Sequence, residues 1–252
     1  MTNDIGPILE RWKYKPNDIN VRLVKGVDGR EKLQMRIDLG LLQMDLDGRP
    51  DGKRPYRYDS YLTYYENRVK KSEEKIKSFE LNPVDCLHLQ QESIQYYHRY
   101  LALIKLGDYV RVARDTRKNL RIFDFVSKYC NDDQIHWSFE QYRPYVIMMH
   151  TRALASISLD NENYDEAISI IKNGLEQIQE FYATHQDRAG NQKFELDFLT
   201  KWMREIRDKR PLSEREKLEK ELNQAIKSEE YERAAEIRDL LRYLEISKRK
   251  TE

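Results

Sequence analysis

The chain has 252 residues, 35% of them charged and 39% hydrophobic, and its 45 basic and 44 acidic side chains leave a net charge of +1. That balance provides no global field to attract nucleic acid or an anionic membrane. With only 9 Gly and 7 Pro, the composition suits long amphipathic helices rather than a strand-rich fold.

The length can bury a substantial core in one or two domains. No apolar run of about 20 residues reads as a membrane span. The N-terminal MTNDIGPILERW has neither the basic nor the apolar region of a signal peptide. A cytoplasmic protein is therefore expected. Cys86 and Cys130 have apolar or aromatic neighbours and no C-x-x-C spacing, so reduced, partly buried thiols are expected rather than a disulfide or metal ligands.

A short helix at Ile8 to Trp12 leads into an extended arm that turns at Pro16 to Asp18. The period then changes to two. Gly26-Val27-Asp28-Gly29 is a hairpin signal. Beyond it Leu33, Met35, Ile37 and Leu39 alternate with polar residues and are expected to pack on the helical body. Past Gly40 the apolar phase flips to Leu42, Met44 and Leu46, which predicts a bulge or sharp bend in a two- or three-stranded antiparallel meander. The following segment, Asp47 to Pro55, holds Arg49, Lys53 and Arg54 among Gly and Pro. It reads either as an anion or partner loop or as a rigid connector. It is neither a Walker A loop nor a G-x-G-x-x-G, and the connector reading is preferred.

From Tyr58 the pattern is helical. Asp59-Ser60 can cap a helix running to about Phe79. Pro83 with Asp85 opens another, ending at Leu106-Gly107, and Gly107-Asp108-Tyr109 opens the next, to about Tyr129. Helices at roughly 136–159, 163–185 and 192–209 follow, with a loop over Thr184 to Lys193. Two stretches match each other, Tyr100 to Ala113 and Arg152 to Glu176. Each places small or apolar residues, a polar turn, a tyrosine and then an alanine. This resembles the tetratricopeptide repeat. Ala153, Ala155, Tyr164, Ala167 and Leu175 stand where that repeat has packing residues, and Ala102, Gly107, Tyr109 and Ala113 match more loosely. Glu162 replaces the usual Gly, and the two matches lie further apart than the repeat's roughly 34 residues. The resemblance implies a degenerate helical array.

Nothing marks an active site. The five histidines, His88, His98, His136, His150 and His185, show no i, i+4 pair and no H-E-x-x-H. There is no G-x-S-x-G. No catalytic residue, metal or cofactor is expected. Tyrosines cluster at Tyr56, Tyr58, Tyr61, Tyr64 and Tyr65 and again at Tyr96, Tyr97 and Tyr100. They suit helix packing or, as the lesser reading, a groove for nucleobases or a peptide.

The last stretch, Pro211 to Leu244, reads as two helices joined by a turn. Ser213 with Glu216 forms a capping box, and Glu229-Glu230 places negative charge at the second N-terminus. Leu218, Leu222 and Ala225 share one face, and Ala234, Ile237, Leu241 and Leu244 form a narrow seam. With Ile226, Tyr231, Ala235 and Arg238, these residues resemble the UVR motif, the helical hairpin of the repair proteins UvrB and UvrC that also occurs in the ClpC chaperone and its adaptor McsA. The resemblance implies a protein-interaction module. It makes Leu218, Leu222, Ala225, Tyr231, Ala234, Ala235, Ile237, Arg238, Leu241 and Leu244 the expected partner-binding residues. The partner would be another UVR-bearing protein or a second copy, with no direct nucleic-acid contact.

The expected architecture is mainly α: an arm and β-meander at 1–55, a TPR-like body at 56–209 and a UVR-like hairpin at 210–252. The expected role is a non-enzymatic adaptor. The alternatives are an accessory factor of nucleotide-excision repair or of a Clp-type protease, and an enzyme with an unrecognised site in the helical body.

Overall fold

A computed structural model describes residues 4–73, 78–189, 194–211 and 214–249. Its contacts divide the chain into two units, Met1–Arg204 and Glu205–Glu252. The protein is mainly helical, with one three-stranded sheet near the N-terminus.

The first unit opens with α1 (Gly6–Arg11), then β1 (Asn20–Lys25), β2 (Glu31–Ile37) and β3 (Gly40–Asp45), antiparallel in the order β1-β2-β3. The phase flip at Gly40 is neither a bulge nor a bend within a strand. Ile37 pairs with Gly40, so Asp38 and Leu39 form a two-residue hairpin turn. The side chains sort differently from the sequence expectation. Leu33 and Met44, opposite in register, are buried, and Met35 is partly buried. Ile37 and Leu39 are exposed, the latter at 88%. The polar residues between them are covered instead. Arg22, Gln34 and Gln43 form a hydrogen-bonded rung across the three strands, with both links 2.8 Å. The Trp12 ring sits over the Arg22 guanidinium at 4.1 Å, and Arg36 Nε donates to the Trp12 carbonyl. The N-terminal arm thus covers the polar face, while β1 and β2 lie against α3 (Pro83–Leu106). Alternation identified two faces but could not say that both would be occupied.

The helices pack in chain order. After α2 (Tyr61–Glu73), α3 pairs with α4 (Tyr109–Tyr129), α4 with α6 (Arg143–Asp160), and α6 with α7 (Tyr164–Thr184). Local signals explain the boundaries. Ser60 Oγ accepts the Thr63 N–H at the start of α2, and Asn82 with Asp85 completes a capping box at α3. The helix expected over 136–159 is two helices, α5 (Asp133–Glu140) and α6, because Pro144 lies in the first turn of α6 and supplies no N–H to a continuous ladder. One helical turn, α8 (Gln186–Ala189), interrupts the expected loop before α9 (Phe194–Lys209). Small residues let α6 and α7 approach. Ala153, Ala155 and Ala167 are fully buried, and a Cβ at Gly174 would stand 2.2 Å from Thr151 Oγ1.

Buried charges tie these elements together. Arg99 and Asp115, both 1% exposed, form a bidentate pair between α3 and α4, at 2.6 and 2.8 Å. A third Arg99 nitrogen donates to the Asp45 carbonyl at the end of β3. Two helical turns earlier on α3, the buried Glu92 carboxylate accepts the N–H groups of Tyr61 and Leu62 at the start of α2 and pairs with Arg49. Burial pushes the Glu92 pKa up, opposed by these hydrogen bonds and by Arg49. The apolar core, including Leu62, Leu89, Tyr96, Ile122, Phe123, Val126 and Val146, surrounds the α2–α3–α4 junction. Cys86 lies within it, and burial pushes its thiol up to about 12.

One turn recurs three times. Gly107, Glu162 and Glu229 take left-handed backbone, with φ of 75°, 58° and 61°. In each case the next N–H reaches back five residues: Asp108 to Leu103, Asn163 to Ser158 and Glu230 to Ala225. The left-handed residue itself bonds three back, which completes a Schellman motif. A tyrosine follows each time, Tyr109, Tyr164 and Tyr231. The third instance is the hairpin of the second unit.

Three outcomes are expected from this fold. Leu33→Ala should cost about 2–5 kcal/mol, whereas Ile37→Asp should shift stability by no more than about 0.5 kcal/mol, both read by chemical denaturation. Asp115→Ala should cost about 3–5 kcal/mol by stranding Arg99, and the double variant Arg99→Met/Asp115→Leu should recover part of it. Glu162→Gly and Glu229→Gly should each stabilise by about 0.5–1 kcal/mol, since glycine removes the left-handed penalty at a small cost in unfolded-state freedom. Calorimetry should show the first as a raised melting temperature of the body and the second in the hairpin.

Candidate interaction surface

The second unit contains the hairpin, α10 (Glu214–Lys227) and α11 (Tyr231–Arg249), closed by the Schellman turn at Ser228 to Glu230. Among the described residues, Ala225, Ala234 and Ile237 are buried between its helices, and Leu218, Leu222 and Leu241 pack against them. Six of the ten residues expected to meet a partner therefore hold the two helices to each other. The periodic apolar stripe is an internal seam. The alanine at position 234 allows the close approach of α10 and α11 themselves. Ser213, the Glu216 side chain and the Leu244 side chain lie outside the described residues.

The other expected residues whose side chains are described stay accessible. Tyr231 is 68% exposed, and Ala235 and Arg238 are exposed beside it. Their i, i+4, i+7 spacing puts them on one stripe of α11. Side chains that periodicity passed over are also uncovered: Ile226 at the end of α10, and Leu240 and Tyr243 on a second stripe of α11. Ile226 stands four residues after Leu222 and Leu240 three after Ile237, so spacing alone does not separate them from the seam. Between them the two stripes offer large apolar side chains on a module whose own seam is small.

The basic loop resolves differently. The Arg49 side chain is 5% exposed and bound to Asp51 and Glu92, with its guanidinium 4.7 Å from the Tyr61 ring centroid. It fastens the connector between sheet and helices. Arg54 pairs with Asp59 at 2.7 Å, and Lys53 is exposed. The three cations do not converge. The tyrosines mostly serve packing: Tyr56 stacks on Tyr64, Tyr61 on His88, and Tyr65, Tyr96 and Tyr100 are buried. Among the described residues no group of three or more His, Cys, Asp and Glu is placed to hold a metal ion, and no helix is long and apolar enough to cross a membrane.

No curated protein and no solved structure is significantly similar to the chain. Residues 213–247 match the family model described as the UvrB/uvrC motif, which places a UVR motif on the α10–α11 hairpin and on no part of the preceding body.

Proposed function

We propose that the protein is a non-enzymatic adaptor that meets a protein partner through its C-terminal UVR hairpin. The observation that carries this reading is the pairing of a family-matched hairpin with exposed apolar side chains outside its own seam: Ile226, Tyr231, Leu240 and Tyr243. Two helices of 14 and 19 residues are marginal in water by themselves. Covering those stripes with a second helical pair adds burial at the place where the hairpin has least. The partner is another UVR-bearing protein or a second copy of this chain.

The body supports the same role. Its α3–α4 and α6–α7 pairs stack in chain order, with small residues at the contacts and tyrosines after the turns, in the manner of a degenerate tetratricopeptide array. A scaffold of this kind presents a module rather than performing chemistry. Direct nucleic-acid binding is not part of the reading. The net charge is +1, and Arg49, Arg54, Arg99, Arg111, Arg114, Arg121, Arg143 and Arg188 are all bound to carboxylates of the chain. The reading places the protein in the cytoplasm.

The test separates seam from surface. Tyr231→Glu and Tyr243→Glu should abolish association, seen by light scattering for a second copy or by pull-down of a UVR-bearing partner, with the circular dichroism unchanged. Ala234→Glu should instead lower helicity, because a charged side chain enters the seam of the hairpin itself. Association that persists after residues 205–252 are removed would end this reading.

A further inference from the structure

The body carries a charged surface that the hairpin reading leaves unused. A groove of about 390 Å³ runs between α4 and α6. Every residue lining it belongs to the first unit, so it stands independently of the hairpin. Four of those residues are cations, Arg114, Arg117, Lys118 and Arg121, and the rest are apolar, Val110 and Ile157 among them. No carboxylate lines it among the described residues.

Helical spacing sets the cations in a row. Val110, Arg114, Arg117 and Arg121 step by four, three and four, which is one stripe of α4, with Lys118 beside it. From Arg114 to Arg121 the stripe extends about 10 Å along the helix axis. The one acid of α4 before Asp124 is Asp115, which is 1% exposed and taken up by Arg99 and Arg114. A stripe of one sign is thus exposed on a chain whose net charge is +1.

Its neutralisation is partial and comes from the ends. Arg114 is committed, with its nitrogens on Asp115, Asp47 and the Leu46 carbonyl. Arg121 gives one nitrogen to Glu66 and keeps the rest of its guanidinium fork open. Arg117 is exposed, and neither it nor Lys118 has a hydrogen bond or ion pair among the described residues. The charge of Arg117 is felt on α6: burial pushes the His150 pKa down to about 4, and Arg117 adds to the shift.

We propose that this groove receives an acidic amphipathic helix of a protein partner, with carboxylates over Arg117, Lys118 and Arg121 and an apolar edge on Val110 and Ile157. The spacing argues for a helix. Carboxylates at i, i+4 and i+7 of one helix repeat the step of the cationic stripe when the two lie side by side. Val110 is 68% exposed at one end of the stripe and offers a contact that an inorganic polyanion cannot use. No aromatic ring lines the groove to stack a base, and the net charge supplies no wider field for a nucleic acid. The surface gives the adaptor a second point of attachment, on the body.

The probe is a labelled, alanine-based helical peptide of about 18 residues, with glutamates at i, i+4 and i+7 and leucines on the adjoining stripe. It is titrated with the full-length protein and followed by fluorescence anisotropy. Binding should saturate with a Kd below about 100 μM at low salt and weaken as salt is raised. Arg117→Glu should weaken it by about tenfold or more, with the circular dichroism unchanged, because Arg117 is exposed and has no partner to lose. Val110→Asp provides a second variant in the first turn of α4, where an acid suits the helix N-terminus, and it should weaken binding with the fold intact. Tyr231→Glu should leave the affinity unchanged, which separates failure of this surface from failure of the hairpin reading. The proposal is overturned if the peptide does not saturate, if either α4 variant binds as the parent does, if a scrambled peptide of the same composition or a single-stranded oligothymidylate binds as tightly as the helix, or if Tyr231→Glu removes binding.

Discussion

The architecture depends on two ionised side chains placed two turns apart on α3. Glu92 and Arg99 are both buried, and both reach elements distant in sequence. Glu92 supplies the negative charge that the N-terminus of α2 lacks in its own first turn and holds Arg49 of the connector. Arg99 joins α4 through Asp115 and the sheet through the Asp45 carbonyl. A three-stranded meander needs a covered hydrophobic face or a helix to pack on. Here its last strand is fastened to the helices by a buried guanidinium and a carbonyl, in addition to Leu33 and Met44. Such groups are expensive to bury unless every bond is made. Their arrangement leaves little choice in how sheet, connector and first helices meet.

Much of this fold was legible in the residues, because it is written locally. Ser60, Asn82-Asp85 and Gly107 mark helix ends through their own backbone contacts, and Gly26 to Gly29 marks a turn in the same way. What was not legible is what each apolar or charged side chain meets. Ile37 and Leu39 keep the alternation of a buried face but stand at a hairpin end beyond the covered area. Gln34 and Arg36 look solvated in sequence but are buried, and Arg36 donates to the carbonyl of Trp12, from a segment more than twenty residues earlier. Arg49 sits in a loop of Gly and Pro whose composition suggests an anion site, and its partner Glu92 lies on a helix 43 residues later.

The hairpin shows the same limit in another form. Hydrophobic periodicity tells which stripe of a helix is covered, not by what. Leu218, Leu222, Ala225, Ala234, Ile237 and Leu241, expected from their spacing to meet a partner, pack between α10 and α11. Tyr231, Leu240 and Tyr243 are exposed although Tyr231 and Leu240 stand three residues from the seam residues Ala234 and Ile237, so in this hairpin the period does not tell the accessible side chains from the covered ones.

The recurring turn connects the body to the hairpin energetically. A left-handed residue other than glycine carries a penalty of about 1–2 kcal/mol. At Glu162 that penalty is spread over α6 and α7, which bury Ala153, Ala155, Ala167, Ile168 and Ile171. At Glu229 the same penalty falls on a two-helix hairpin whose described buried side chains are Ala225, Ala234 and Ile237, and isolated helices of this length are marginal. A ligand that binds only the closed hairpin stabilises it through linkage, and the smaller the intrinsic margin, the more its closure depends on that ligand. With glutamate at its left-handed position and Ile226, Tyr231, Leu240 and Tyr243 uncovered, the hairpin would gain stability from any contact that buries those side chains only in the closed form.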